Sequence, residues 1–522
     1  MPVEELYEGK ELIRRVTNVR GEVHYKMKCM PRFNYGRSKH TIEQLSEHEV
    51  IFRSTGERRV ALRLTSSVPL QIEDGDVFAG FTLQGNEIAD FLLEHINNDH
   101  QQAKDFKSFI TESLFRTINY WKEWVAQSHY NGRWREIVNR SALVLKMLTS
   151  FKYGSIMASA TFGLPENIGD ERNWDYRYTW IRDASFTVFA LIQLGYTKEA
   201  GAFMRWVEKI CSNIQEDGQL GIMYAMNGGP PQEEIVLENL EGYKFSQPVR
   251  IGNDAANQLQ LDIYGELLDA VYLYNKHGEP ISYDFWKDLE KLMDWLVTNW
   301  NQPDEGIWEV RGGKKKFLYS RLMCWVAFDR ALKIAEQRSF PVNDRWRYER
   351  DRIYKSIYTD FWNEELQAFV QFEGCTTVDA SSLLMPILLF ISPKDPRWLS
   401  TLKKIEEQLV SDSLVYRYKL DDAAASDGFR SHEGTFSMCT FWYVECLSRS
   451  GQLEKARFYF EKMLGYANHV GLYSEQLGFE GDHLGNFPQA FTHLGLISAA
   501  CNLDKQLNDI RNKDIMGYEG IY

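Results

Sequence analysis

The chain has 522 residues, 44% of them hydrophobic and 14% aromatic, with a formal net charge of −13. That length admits roughly two to four average domains, or one large helical domain with a smaller one. An acidic chain repels phosphate backbones, which argues against nucleic acid as a partner.

The N-terminus, Met1-Pro2-Val3-Glu4-Glu5, lacks the basic and apolar regions of a signal peptide. No apolar run reaches the roughly 18 residues that span a bilayer, and the longest, 382–391, is broken by Pro386. No membrane partner is expected. The 7 cysteines are odd in number and include no CxxC pair. They form neither a disulfide framework nor a zinc site and fit a reducing cytosol, so the expected location is cytoplasmic. No cluster with metal-ligand spacing appears, and neither a metal nor an organic cofactor is expected.

Residues 1–100 hold short alternating runs at 23–29, 49–53, 59–64, 69–72 and 76–83, separated by Gly, Asn, Ser and Asp clusters. This predicts an antiparallel β domain. Apolar residues then recur at helical spacing from Phe106 through Ile110, Leu114, Ile118, Trp121 and Val125, which predicts a linker helix within 101–130.

From there the period stays helical. The runs fall at 133–151, 182–195, 197–215, 253–276, 282–300, 320–337, 343–362, 378–390, 395–411, 433–449, 452–465 and 486–502. Long loops at 152–181, 216–252, 301–319, 363–377, 412–432 and 466–485 alternate with short turns. Twelve helices with six long loops predict paired helices closed into a ring over 131–505, the long loops sharing one rim, with 506–522 as a tail. An open solenoid would show more similar repeats. Long irregular loops are uncommon unless they serve a function.

The loops carry the unusual residues. Stretch 173–183, Asn-Trp-Asp-Tyr-Arg-Tyr-Thr-Trp-Ile-Arg-Asp, sets flat rings beside fixed forks of donors and acceptors. A sugar ring packs on such planes while bidentate side chains hold its hydroxyls. The plain alternative is a buried aromatic cluster with a structural Arg–Asp pair. Loop 301–319 contains Trp308-Glu309 and loop 466–485 contains Tyr473-Ser474-Glu475-Gln476. Glycoside hydrolysis needs two carboxyls across a sugar, one of them protonated near neutral pH. Burial against Trp308 would suit Glu309 as the acid, and polar neighbours would suit Glu475 as the anion. With 73 acidic residues, other pairs stay open. Arg430 offers a clamp for a hydroxyl, or Ser431 simply caps a helix ahead of Glu433. The run 249–266 sets polar residues on several faces of a helix, which requires a pocket or partners. His493 reads as packed. GxGxxG, GxSxG and P-loop motifs are absent.

Taken together, the motifs at 172–183, 250–266, 305–311, 473–475 and 484–491 resemble glycoside hydrolase family 15, the glucoamylases, glucodextranases and prokaryotic trehalases. The likeness runs from about Glu11 to about Ala500 with the motifs in family order. It implies a mainly α fold, an (α/α)6 barrel preceded by an antiparallel β-sandwich. The family's prokaryotic members begin with a longer β domain, so the sandwich is expected to be truncated. Carried over, Glu309 matches the general acid and Glu475 the general base. Arg182 and Asp183 match the grip on the non-reducing glucose, Trp180 and Trp308 the pocket's rings, Arg430 a further sugar-binding arginine and Glu433 its support. The implied mechanism is inverting, with the two carboxyls roughly 6.5–9.5 Å apart. Val310 stands where some starch-cleaving relatives carry a second Glu.

The expected substrate is an α-linked glucose oligo- or disaccharide. The leading expectation is an exo-acting glucoamylase (glucan 1,4-α-glucosidase) that releases β-glucose from non-reducing ends. Trehalase on the same scaffold is the alternative. A phosphorylase needs no water-activating base, and an inactive carbohydrate-binding scaffold needs neither carboxylate.

Overall fold

The computed structural model describes residues 1–3, 10–56, 59–96, 105–214, 218–419 and 433–519, the last ten as backbone. The chain divides into two compact units, Met1–Ala126 and Gln127–Tyr522.

The first unit contains strands β1 (Glu11–Thr17), β2 (Val23–Cys29), β3 (His40–Ser46), β4 (Glu49–Ser54), β5 (Ala61–Ser66), β6 (Gln71–Glu73), β7 (Asp76–Leu83) and β8 (Ile88–Ile96). They form two antiparallel sheets, in the orders β1-β8-β5-β4-β3 and β2-β7-β6. Side chains alternate across each strand. On β7, Val77, Ala79 and Leu83 point inward and meet Val50 and Phe52 of β4, Leu64 of β5 and Ala89 and Phe91 of β8 in one core. Residues of both sheets therefore share the interior of a β-sandwich. Strands β1, β3 and β8 go beyond the five expected runs. β1 and β3 lie at sheet edges and carry charged or polar residues that blur the alternation. β8 is buried at Ala89, Asp90, Phe91 and Leu92 in succession, so it has no period to detect. Helix α1 (Phe106–Ala126) closes the unit and buries Ile110, Ser113 and Trp124.

The second unit contains α2 (Arg135–Leu148), α3 (Ala184–Leu194), α4 (Thr197–Ser212), α5 (Asp262–His277), α6 (Tyr283–Asn299), α7 (Leu318–Arg338), α8 (Asp344–Asp360), α9 (Leu384–Ile387), α10 (Pro396–Leu409), α11 (Ser437–Arg449), α12 (Leu453–Leu464) and α13 (Ala490–Glu519). Helix α3 packs on α5, α5 on α7, α7 on the 3-10 turn Ala380–Leu383 that runs into α9, α9 on α11, α11 on α13, and α13 returns to α3. That closes an inner ring. Helices α4, α6, α8, α10, α12 and α2 pack outside it. The result is an (α/α)6 barrel.

Burial follows position in the ring. Inner helix α11 buries every residue from Ser437 to Ser448. Outer helix α4 buries Ala200, Phe203, Met204, Val207, Ile210 and Cys211 and leaves its other face wet, the one-sided stripe of a helix with a single packed side. Close inner packing needs a residue without a side chain. A Cβ on Gly265 of α5 would lie 2.2 Å from the carbonyl oxygen of Met323 on α7. Three of the outer helices, α6, α8 and α10, begin at side-chain caps: Ser282 accepts from the N–H of Phe285, Asn343 from Arg345, and Asp395 from Arg397 with Pro396 in the first turn.

Three helix ends depart from expectation. The expected run 378–390 is a 3-10 turn plus four α-helical residues, because Pro386 supplies no amide donor and Leu389 turns left-handed at φ 64°. The run expected from 253 starts at Asp262, since Asn253 caps a separate 3-10 turn, Asp254–Asn257. Helix α13 continues to Glu519, past the start of the expected tail at 506. Each long loop leads into an inner helix, so all six meet at the inner helices' N-terminal ends. Short ladders brace them: Thr179–Trp180 pairs with Met223–Tyr224, and Gln476–Leu477 lies between Thr435–Phe436 and His483–Leu484. Among the described residues no helix is long and apolar enough to cross a membrane.

Candidate active site

The rim loops enclose a cleft of about 740 Å³. One wall is the stretch 173–183, held by the buried Asp175. Its carboxylate accepts two bonds from the Arg177 guanidinium (2.8 and 2.7 Å) and one each from the amides of Arg177 (3.2 Å) and Gly252 (3.1 Å). Trp174, Tyr176 and Trp180 line the cleft.

At the deep end Arg182 donates from Nε to Asp183 (3.3 Å) and from Nη1 to the carbonyl of Ile307 (3.0 Å) and to Glu309 (3.1 Å). Burial opposes the charge on Arg182, but Asp183 and Glu309 outweigh it and raise its pKa. Burial likewise pushes the Asp183 carboxyl up, against the pull of Arg182. The polar run at the start of α5 reaches inward beneath them. Glu266 accepts from Ser185 (2.9 Å) and from Tyr319. Asp262 is fully buried and is pushed up to about 7 by burial, with Arg182 pulling the other way.

Glu309 is left-handed, with φ 56°, a conformation that costs a non-glycine residue about 1 kcal/mol or more. The turn is clamped by the bond from its N–H to Gly306 O (3.1 Å) and by Gln258 Nε2, which donates to the Glu309 carbonyl (3.2 Å). Glu309 Oε1 accepts from Trp180 Nε1 at 2.7 Å. Its side chain is 20% exposed.

Glu475 is buried to 3%. Its Oε1 accepts from the Tyr176 hydroxyl (2.8 Å) and Gln489 Nε2 (3.0 Å), and its Oε2 makes no hydrogen bond within the chain. Burial pushes its pKa well above the usual carboxylate range, and the nearby Glu166 adds to this. The Tyr176 hydrogen bond, Arg417 and Arg182 pull the other way. Tyr176 and Trp180 meet edge to face at 5.5 Å, so one aromatic pair holds both carboxyls.

Trp180, Arg182, Asp183, Trp308, Glu309 and Glu475 thus line one cleft. The ring against Glu309 is Trp180, however, and not its neighbour Trp308. The Trp308 indole donates instead to Asp379 (2.8 Å) and packs on Phe436. The more deeply buried carboxyl is Glu475. Glu433 turns to Arg417, which donates to it at 3.0 Å from Nε, and to Arg172 at 3.6 Å. Arg430 lies outside the described residues. Tyr176, Gln489, Glu166 and Arg417 also line the cleft, although sequence reasoning gave them no part in it. For Tyr176 a signal existed: it stands within the 173–183 motif, between Trp174 and Trp180. Glu166 and Arg417 stand in loops without any local pattern. His493 is packed and neutral, its pKa lowered to about 3 by burial. No group of three or more potential metal ligands occurs among the described residues.

Comparison with known proteins places the chain in a family. The profile of Glycosyl hydrolases family 15 matches residues 132–501. The trehalase of Thermoplasma volcanium is 37% identical over 485 residues, covering 91% of this chain and 75% of that protein. The trehalase of Mycobacterium tuberculosis is 36% identical over 500 residues, covering 94% and 73%. Glucoamylase from Saccharomycopsis fibuligera superposes with a TM-score of 0.52 over 73% of this chain and 98% of that one, at 13% identity, a likeness of fold alone. The expectation of a glucoamylase is therefore corrected: the relatives that share over a third of their residues across most of the chain are trehalases.

Proposed function

We propose that this glycosidase, which belongs to glycosyl hydrolases family 15, is a trehalase that hydrolyses α,α-trehalose with inversion. Two carboxyls on separate rim loops, held by one aromatic pair beside an Arg–Asp grip, carry the reading. Similarity to trehalases chooses the substrate within it.

One glucose of trehalose enters the deep end, where Arg182 and Asp183 hold its hydroxyls and Trp180 and Trp308 bound its ring. Glu309 gives its proton to the bridging oxygen as the C1–O bond breaks. Glu475 takes a proton from the water that attacks C1 on the opposite face. The reactive state needs Glu309 protonated and Glu475 ionised. Sugar hydroxyls that engage Arg182 would compete with Glu309 for its guanidinium. Tyr176 and Gln489 hold Glu475 as the base despite its burial. Inversion at the attacked carbon gives one β-glucose, and the departing sugar leaves as α-glucose. The free cysteines suit a reducing cytosol.

Proton NMR during the first turnovers of trehalose tests this. Equal α- and β-glucose is expected, and α-glucose alone would mean retention. Glu309→Gln and Glu475→Gln should each lower kcat by about 10²- to 10⁴-fold. Ordinary turnover in either variant overturns the assignment.

A further inference from the structure

The deep end of the cleft accounts for one glucose, and the second must lie beyond the oxygen that Glu309 protonates. Arg311 follows Glu309 by two residues in the same loop. It stands 4.7 Å from the centroid of the Trp174 ring, with Arg250 4.9 Å from the same ring. Glu234 ties both guanidiniums, at 3.3 Å to Arg250 and 3.4 Å to Arg311. The Arg311 side chain is 32% exposed, against 14% for that of Arg182 and 11% for that of Asp183. Trp174 and Arg311 therefore mark the mouth of the cleft.

Beside them lies Glu166, 3% exposed, whose Oε1 accepts from Trp174 Nε1 at 2.9 Å. Its Oε2 makes no hydrogen bond in the chain. Arg172 and Arg417 stand at 3.7 and 3.8 Å, too far to use up the lone pairs, though they oppose the rise in pKa that burial imposes on this carboxyl. Buried carboxylate oxygens that stay unpartnered are costly. This one lines a cleft meant to receive hydroxyl groups. Val310, next to Glu309, is apolar and 5% exposed and offers no acceptor.

We propose that Glu166 is a specificity-determining residue, its Oε2 accepting a hydrogen bond from a hydroxyl of the departing glucose, with Trp174 and Arg311 bounding that sugar. The proposal rests on the trehalase reading. It requires that Glu166 act on the second sugar and not on the chemistry at the first.

α-Glucosyl fluoride separates the two, because it fills the deep end and leaves no sugar at the mouth. In Glu166→Gln, the ratio of kcat/KM for trehalose to kcat/KM for α-glucosyl fluoride should fall by about 10- to 100-fold, the range for a lost hydrogen bond to a charged group. Arg311→Ala, at the exposed mouth, should lower the same ratio, and it decides the matter if the Gln variant does not fold. An unchanged ratio overturns the subsite while trehalose turnover by the unaltered protein persists. An unaltered protein that cleaves α-glucosyl fluoride and leaves trehalose intact overturns the trehalase reading and the subsite with it.

Discussion

Replacing Tyr176 by Phe deletes one hydroxyl and keeps the ring against Trp180. That hydroxyl donates to Glu475 Oε1 at 2.8 Å. Its own pKa is pushed far above 10 by burial, with Glu475 adding to the effect, so it stays a neutral donor throughout the working range. A hydrogen bond to a charged acceptor contributes about 1.5–3 kcal/mol, and about 1.4 kcal/mol corresponds to one pH unit. Gln489 still donates at 3.0 Å, so the lower figure applies. The sign follows from the role as base proposed for Glu475. As the base it must be ionised, so activity is present above its pKa and lost as the pH falls through it. Burial already raises that pKa, and the Tyr176 bond opposes the rise. Without the bond, the acidic limb of kcat/KM on trehalose should move to higher pH by about one unit, and the rate should recover at pH values above the new limb. A limb that stays in place while the rate drops equally at every pH would reduce Tyr176 to packing and refute the argument. Movement to lower pH would refute it as well.

Glu475→Gln should raise the melting temperature, and more so as the pH rises. A carboxyl with an elevated folded pKa contributes stability below its unfolded pKa and loses it as the pH rises through the folded one. An amide has no such loss. Calorimetry from pH 5 to 9 should show the gap between variant and parent widening with pH, and a constant gap would contradict the burial of Glu475 as the cause. Gly265→Ala should cost at least the roughly 1–3 kcal/mol of an overpacked core, because its Cβ would stand 2.2 Å from the Met323 carbonyl. An unchanged melting temperature for that variant would mean that α5 and α7 do not approach so closely.

The twelve helical runs were legible because a barrel of paired helices repeats one instruction, an apolar stripe followed by a turn. Outer helices such as α4 obey it with one wet face. Inner helices such as α11 are covered on every side and were legible mainly by length. The pattern failed where the backbone departs from the α-helix, at Pro386 and at the 3-10 turn Asp254–Asn257. In the cleft, adjacency in sequence misled. Trp308 precedes Glu309, yet the left-handed turn at Glu309 delivers its carboxyl to Trp180, 129 positions away. Glu433 also reaches Arg172, on a separate loop, while Arg430, beside which it was expected, lies outside the described residues. Such partners depend on how separate loops meet, and no local period encodes that.

The same distinction explains why the motifs revealed a glycosidase sooner than its substrate. The proposed Arg–Asp grip, two rings and two carboxyls would serve any α-linked glucose, because every such substrate presents the same first sugar and the same kind of bond to break. Residues that perform shared chemistry are those a motif captures. Choice among substrates is made at the departing sugar, where Glu166, Trp174 and Arg311 come from loops 152–181 and 301–319 and meet only in the folded barrel. Glu234, on a third loop, ties Arg311 to Arg250. Exchanging residues there while keeping Glu309 and Glu475 should change which α-glucoside is cleaved and leave the stereochemistry of cleavage alone, since inversion is set by the placement of the two carboxyls about C1.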